Sequence, residues 1–529
     1  MIEDLVNTPK RVETRSLTDY TELLTELYIN RTKPEDRKNR GQFFTPKSIS
    51  GFMIQQFIGL NKMDRIRILD PGAGMGIFES SLCEFLLSAK KTPRVLFDLY
   101  ENDKNIIPFL KQNMDTCSRS VAERGIEMSY RIYEEDFVLS NSPIFNNRSD
   151  LDFDRIGYDF VISNPPYYKL RKESPQAIEM KSIIKGQPNI YALFMAVSAR
   201  LLRKGGQMTV LTPRSYCSGV NFKNFRKLFF RSVKPVRIHI FESRTKIFKK
   251  YNVRQEMMIL TAIKTRDVPS SVVISKNDGG FARCDSVEIR KTDFKTIFTE
   301  NDGDTIMRIP TSKLEERIVA EIDKLEFKLA DLGLKVSTGP VVPFRAREYL
   351  LNDLIGNHDC IPLIWMQNIM NGRVIWPTLG NGKPVAIENK AGSKRILIVN
   401  ENYVLIKRFS SKEGKQRISA GVLLKEYLAS DYVGIENHVN YIYKVGGKLT
   451  ENEACGIAEL LNSRIYNRYF QIMNGSTQVN AADIYRIPLP SLEKIRLVGR
   501  LVCNGEGNDR SKNEKVILEE LNIDIKIDS

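Results

Sequence analysis

Metal-ligating residue types are scarce in this chain. Its 529 residues include three histidines, His239, His358 and His438, far apart in sequence. The seven cysteines, Cys83, Cys117, Cys217, Cys284, Cys360, Cys455 and Cys503, show no Cys-x-x-Cys spacing. These shortages argue against a zinc site and against a disulfide framework. No metal is expected, and a reducing cytoplasm is. No apolar run approaches the ~20 residues that span a bilayer. Met1-Ile2-Glu3-Asp4 lacks the basic-then-apolar pattern of a secretory signal. Negative charge is also short. Asp and Glu number 64 against 80 Lys and Arg, a net charge of +16, with a pI of about 9.3. Such a surplus favours nucleic acid or an anionic membrane surface, a merely well-solubilised surface being the alternative. A chain of 529 residues predicts two or three domains, each with its own core.

What is present begins with Asn164-Pro165-Pro166-Tyr167. It follows the apolar run Tyr158–Ser163, which reads as a buried strand. Two consecutive prolines cannot continue a sheet ladder, so the strand stops there. That leaves an amide side chain, a backbone carbonyl and an aromatic ring at the carboxyl end of a strand. Open α/β sheets bind ligands at such ends. Two oxygens side by side accept two hydrogen bonds from one planar amino group, and the ring can stack on the heterocycle carrying it. The pattern suits an exocyclic amino group, or an amide, that must be made nucleophilic. A rigid turn closing a strand is the other reading of these four residues.

Three further strand ends precede it. Arg65–Leu69 runs into Asp70-Pro71-Gly72-Ala73-Gly74-Met75-Gly76 and then a helical pattern. The glycines let the backbone turn sharply and approach a ligand. The loop lacks the Gly-Lys-Ser/Thr ending of a P-loop and does not fit G-x-G-x-x-G cleanly. Asp70 would repel a pyrophosphate but could accept from an amine. Val95–Tyr100 ends in Glu101, placed to bind two ribose hydroxyls. Ser129–Tyr133 leads to Asp136-Phe137, a carboxylate for an adenine amino group and a ring for its face.

Taken with Gly41-Gln42-Phe43-Phe44-Thr45-Pro46, these segments resemble the amino-group DNA methyltransferases that use S-adenosylmethionine. The glycine loop precedes Asn-Pro-Pro-Tyr and a long segment follows both, an order similar to the gamma class of type II restriction–modification systems. The resemblance covers about residues 41–265 strongly and the C-terminal half loosely. It departs in reading Pro-Gly-Ala-Gly where many members have Pro-Ala-Cys-Gly. It implies that S-adenosylmethionine is held by Phe44, Thr45, Pro46, Asp70, Pro71, Gly72, Ala73, Gly74, Gly76, Glu101, Asp136, Phe137 and Asn164. It implies that Asn164, Pro165, Pro166 and Tyr167 form the catalytic segment. It also implies an aromatic that stacks on the target base within Ile247–Val253. Phe248 is the choice by position and Tyr251 the alternative, a core phenylalanine being the bland reading.

Strands alternating with helices predict an α/β domain with a mostly parallel sheet and helices on both faces, and the resemblance implies that it is a Rossmann-like class I methyltransferase domain. An α+β target-recognition domain is expected after it. The expected boundaries are an N-terminal helical arm at 1–40, the catalytic domain at 41–265 and a connector with a helix at 266–330. The recognition domain is placed at 331–490 and a C-terminal tail at 491–529, with partial disorder expected at Asn504–Lys512. The connector helix carries Leu314, Ile318, Ile322 and Leu325 on one face. The recognition segment holds Trp365, Trp376, Lys407-Arg408, Lys412, Lys415 and Arg417, with loops rich in Asn and Gln. Lys and Arg hold phosphates, whereas Asn, Gln and Arg can read base edges.

The expected reaction is methyl transfer to N6 of a flipped adenine in double-stranded DNA. The implied partners are duplex DNA and a cognate restriction endonuclease acting on the same site. A monomer in a bacterial or archaeal cytoplasm, associated with the nucleoid and with no membrane contact, is expected. Cytosine N4, an RNA adenine and a protein glutamine amide are the enzymatic alternatives. An inactive DNA-specificity protein is the non-enzymatic one. A fused nuclease is disfavoured, because 40 residues before the first motif are too few to hold one.

Overall fold

The computed structural model describes residues 16–89, 91–145, 153–184, 189–241, 243, 256–277, 287–301, 303–354, 359–378, 382–410, 416–475, 478–503 and 509–527. Phe248, Tyr251, Lys412 and Lys415 lie outside the described residues. The chain divides into two units, 1–307 and 308–529.

The first unit opens with α1 (Leu17–Arg31), α2 (Pro34–Asn39) and α3 (Lys47–Ile54). It continues as β1 (Arg65–Asp70), α4 (Ile77–Ser88), β2 (Arg94–Tyr100), α5 (Ile107–Ala122), β3 (Met128–Tyr133), α6 (Phe137–Asn141) and α7 (Phe153–Ile156). Then come β4 (Tyr158–Ser163), α8 (Pro175–Glu179), α9 (Ile190–Leu201), β5 (Leu202–Pro213), α10 (Lys223–Ser232), β6 (Val233–Phe241) and β7 (Met257–Lys264). It ends with β8 (Ser271–Asn277), β9 (Glu288–Asp293), α11 (Phe294–Ile297) and the hairpin β10 (Phe298–Asn301) and β11 (Asp304–Met307).

One nine-stranded sheet runs β3-β2-β1-β4-β5-β7-β6-β8-β9. The strands β1 to β5 pair in parallel, and β7 lies antiparallel between β5 and β6. The central strands are buried almost end to end, because helices cover both faces. The helix α5 buries Leu110, Met114, Cys117 and Val121, a stripe at helical spacing. Strand order reverses between β1 and β4, and a crevice opens at their carboxyl ends.

The sheet continues beyond residue 265, where the sequence reading placed a connector. The strand β8 pairs in parallel with β6 and antiparallel with β9. Its alternation, Val272 and Ile274 buried with Ser271 and Val273 half-buried, is that of a sheet margin rather than of a fully covered strand. The lower apolarity after Thr265 therefore marks the sheet margin, not the end of the domain. Arg226 on α10 ties the last hairpin back, with Nη2 2.5 Å and Nε 3.1 Å from the Asp304 carboxylate. The N-terminal arm packs through Leu24 and Tyr28, and Thr21 meets Ser80 of α4 at 2.7 Å.

The second unit begins with α12 (Lys313–Ile322), the helix expected from its apolar face. Its strands are β12 (Leu334–Thr338), β13 (Leu350–Leu351), β14 (Cys360–Ile364), β15 (Ile369–Met370), β16 (Arg373–Val374), β17 (Ala386–Glu388), β18 (Ile398–Val399), β19 (Tyr403–Lys407), β20 (Ala420–Leu423), β21 (Tyr432–Ile435) and β22 (Val439–Lys444). Its remaining helices are α13 (Glu451–Asn462), α14 (Arg464–Met473), α15 (Ala481–Tyr485), α16 (Leu492–Cys503) and α17 (Arg510–Glu520). A six-stranded sheet, β12-β22-β19-β20-β16-β15, and a five-stranded sheet, β13-β17-β14-β21-β18, make the α+β architecture.

Residues 491–520 are not a tail. Ile495, Val498 and Ile517 are buried in one core with Ile457, Leu460 and Phe470. Glycines bring α16 against α13: a Cβ at Gly456 would stand 1.9 Å from the Ile495 carbonyl, and one at Gly499 2.0 Å from that of Asn452. Cys455 is disulfide-bonded, whereas Cys83, Cys117, Cys217 and Cys360 are free. Among the described residues no helix is long and apolar enough to cross a membrane, and none group as a metal site.

Candidate active site

A cleft of about 390 Å³ opens at the carboxyl ends of β1, β2 and β4. It gathers segments far apart in sequence: Phe44 and Thr45, Pro71 to Gly74, Glu101, Asp136 and Phe137, and Asn164 with Pro166. Asp70, Gly76, Pro46, Pro165 and Tyr167 flank this lining without being part of it.

The glycine loop is held from behind. Asn113 of α5 is fully buried, and its Nδ2 donates to the carbonyls of Met75 at 2.8 Å and Gly76 at 3.1 Å. Gly76 has φ +80°, and a Cβ there would meet Asn113 Nδ2 at 2.7 Å. Asp70 Oδ1 accepts from Gly72 N at 3.0 Å. Its Oδ2 is buried with no hydrogen-bond partner. Burial, and then the neighbouring Glu79, raise the Asp70 carboxyl well above its ordinary range. Glu79 is itself fully buried, and burial pushes it up to about 8.

Glu101 reaches across from the end of β2. Its two oxygens accept from Gly74 N at 3.1 Å and Asp103 N at 2.8 Å, and burial raises its pKa. A carboxylate has about four lone-pair sites, so these backbone donors leave capacity for a ligand hydroxyl. At the third strand end Phe137 is buried, its ring centroid 5.0 Å from Tyr100 and 5.2 Å from Phe194. Asp136 Oδ1 caps α6 through Leu139 N at 2.9 Å, and Oδ2 accepts from Gln176 Nε2 at 2.8 Å. The expected adenine acceptor thus already carries one amide donor. A cleft of this volume, with a carboxylate acceptor on one side and aromatic rings on the other, fits a nucleoside.

The Asn164–Tyr167 segment is fastened to the chain before α3. Asn164 Nδ2 donates to the Phe43 carbonyl at 2.7 Å and to Thr45 Oγ1 at 2.9 Å. The Tyr167 hydroxyl lies within hydrogen-bond reach of Asn164 Oδ1 and of the Leu211 carbonyl, the latter at 2.8 Å. Burial raises the Tyr167 pKa, so this hydroxyl keeps its proton and donates. One face of its ring is stacked on Phe43, with centroids 5.7 Å apart and planes 17° apart.

Several functional positions were not read from the sequence. Asp103 joins the arm to the site: its Oδ2 accepts from Tyr28 Oη at 3.0 Å, Gln42 Nε2 at 2.8 Å and Arg40 Nη1 at 2.5 Å. Its position two residues after Glu101 was the available signal, because Asp before a helix often accepts local backbone N–H groups. Asn105 N does donate to Asp103 Oδ1, at 3.0 Å. Gly41 was quoted as a motif residue without its reason. It has φ +65°, and a Cβ there would stand 2.9 Å from Tyr168 Cδ1 and 3.1 Å from Tyr167 N. Tyr168 and Gln176 carried no sequence signal.

The Eco57I restriction-modification methylase family matches residues 79–248. The chain is 30% identical over 493 residues to the type II methyltransferase M.PstI of Providencia stuartii, covering 92% of this chain and 94% of that protein. It is 31% identical over 493 residues to the type II methyltransferase M.BsuBI of Bacillus subtilis, covering 92% and 95%. Among solved structures, the fold is similar to that of the type IIL restriction-modification enzyme MmeI in complex with DNA. That likeness has TM-score 0.53 and 11% identity, and covers 96% of this chain and 75% of that one.

Proposed function

This chain belongs to the type II methyltransferases of restriction–modification systems, and from that premise we propose that it methylates N6 of adenine at a specific site in double-stranded DNA. S-adenosylmethionine is the cofactor, and when bound it supplies a methyl group on a positively charged sulfur. The Glu101 oxygens would take the ribose hydroxyls, and Asp136 and Phe137 the adenine end. Asp70 would face the positive charge, whose presence favours its ionised form.

The observation that carries the reading is the Asn164 carboxamide. Both of its N–H groups are taken by Phe43 and Thr45, so a substrate amino group would meet its oxygen, which has two lone pairs and shares one with the Tyr167 hydroxyl. That oxygen, with the Pro165 carbonyl, would accept from the two N6 hydrogens of a flipped adenine. Hydrogen-bonding both hydrogens to acceptors would draw the nitrogen lone pair out of conjugation with the ring and make it a nucleophile; as the N–C bond forms the C–S bond breaks, and the methylated nitrogen gives up one of the two protons. Positioning, not a strong base, then supplies much of the rate. Tyr167 and Phe248 are the aromatics proposed to hold the base. Residues 331–490, with Lys407 and Arg408, are proposed to bind the duplex, phosphate contacts making affinity steeply salt-dependent; Arg417, 5% exposed, is too buried to join them. A monomer, and a cognate endonuclease cutting the same unmethylated site, complete the proposal.

The test offers labelled S-adenosylmethionine with plasmid DNA, total RNA and a bacterial protein extract in separate reactions. Label in DNA alone is expected. Label in RNA or protein instead would overturn the substrate assignment.

A further inference from the structure

We propose that Gly41–Thr45 is a strap that fixes which end of the Asn164 carboxamide faces the substrate, and that Thr45 acts as a positioning residue rather than a cofactor ligand. The inference rests on Asn164 being the acceptor for the substrate amino group.

An amide flips at little steric cost, because its oxygen and nitrogen are nearly the same size. Flipped, Asn164 would present an NH2 group to a substrate NH2 group and could not accept from it. One partner decides the orientation: the Phe43 carbonyl, 2.7 Å from Nδ2, has no proton to give, so only the nitrogen can face it. Thr45 Oγ1, at 2.9 Å, takes the second N–H and holds the amide against that carbonyl. The flipped form would set two acceptor oxygens against each other, with Asn164 only part-exposed and Thr45 8% exposed. Water is poorly placed to relieve that contact.

The strap is held taut from both ends. At its start Arg40 and Gln42 are anchored on Asp103. At its finish Pro46 is the N-cap residue of α3, its carbonyl taking the N–H of Ile49 and Ser50 at 3.0 Å each. Between them Gly41 lets the backbone run flush with Pro166, Tyr167 and Tyr168. The resemblance assigns Thr45 to the cofactor, and Thr45 does line the cleft, but its hydroxyl is also committed to Asn164.

The test compares Thr45→Val, which keeps shape and loses the acceptor, with Thr45→Ser, which keeps the acceptor. Single-turnover methyl transfer to plasmid DNA should slow about tenfold in Thr45→Val, the scale of one buried hydrogen bond. Thr45→Ser should recover to within about threefold, and S-adenosylhomocysteine affinity should stay within about threefold in both. Side-chain amide exchange of Asn164, followed by NMR in asparagine-labelled protein and assigned with Asn164→Ala, should quicken about tenfold in Thr45→Val. That last readout needs no substrate, so it separates a failed strap from a wrong substrate. An unchanged transfer rate with unchanged amide exchange would overturn the proposal. So would a loss of cofactor affinity equal to the loss of rate, which would make Thr45 a cofactor ligand.

Discussion

Replacing Asp103 by Asn should loosen the N-terminal arm and the strap from the cofactor cleft. The Asp103 side chain is 4% exposed, and its two oxygens collect five donors. Burial pushes its pKa up, but hydrogen bonds from Gln42, Asn105, Tyr28 and Arg40 outweigh that and leave it below its ordinary value. Tyr28, buried against the same carboxylate, is pushed up to about 12. An Asn side chain keeps one oxygen and turns the other into a donor, so one of the two donor sets must be abandoned. Hydrogen bonds to a charged acceptor contribute about 1.5–3 kcal/mol each. Arg40 is 53% exposed, so its ion pair is screened and counts for little. Losing the Tyr28 and Gln42 bonds alone gives a destabilisation of about 3 kcal/mol, a large share of a typical 5–15 kcal/mol. Because the folded pKa is depressed, this stabilisation is present above the unfolded value of about 3.9 and fades as pH falls through the folded value. Urea unfolding followed by far-ultraviolet circular dichroism at pH 7 and at a pH about 1.5 units below that unfolded value checks both points. A neutral-pH difference under about 0.5 kcal/mol, or a difference that does not shrink at low pH, would refute the reasoning.

Three further predictions concern the cleft itself. Asn164→Ala should cut methyl transfer by at least about a hundredfold while leaving S-adenosylhomocysteine affinity nearly intact, as measured by quench-flow and calorimetry. Glu101→Ala should weaken S-adenosylhomocysteine binding by roughly 1–3 kcal/mol, and unchanged calorimetric affinity would place the ribose acceptor elsewhere. Glu79, pushed up to about 8 from an ordinary 4.5, contributes stability that is full below about 4.5 and lost as pH rises to about 8. Glu79→Gln should therefore gain on the wild type across that window in urea titrations, and parallel pH curves would count against it.

Much of the first unit was legible because its chemistry is local. The strands β1, β2 and β4 are short apolar runs covered by helices on both faces, and each ends in a residue that cannot stay in a sheet or is expensive to bury. Strand ends converge in a parallel sheet, so Asp70, Glu101, Asp136 and Asn164 meet although widely separated in sequence. The sheet margin was not legible, because β8 and β9 alternate polarity and resemble a linker. The helices α16 and α17 were taken for a tail on the polar stretch around Asn504, although Leu492, Ile495 and Val498 carried helical spacing. What joins Thr45 to Asn164, or Gln176 to Asp136, is a tertiary hydrogen bond with no sequence period. Phe248 and Tyr251 lie outside the described residues, so the second base-stacking aromatic is as the sequence left it.

The central claim is that Asn164 directs the methyl group to an adenine amino nitrogen. The most direct measurement is nucleoside mass spectrometry on duplex DNA treated with S-adenosylmethionine and either the wild-type chain or Asn164→Ala. The account predicts N6-methyladenine with the wild type and none above background with the variant. N4-methylcytosine, or N6-methyladenine at equal levels from both proteins, would contradict it.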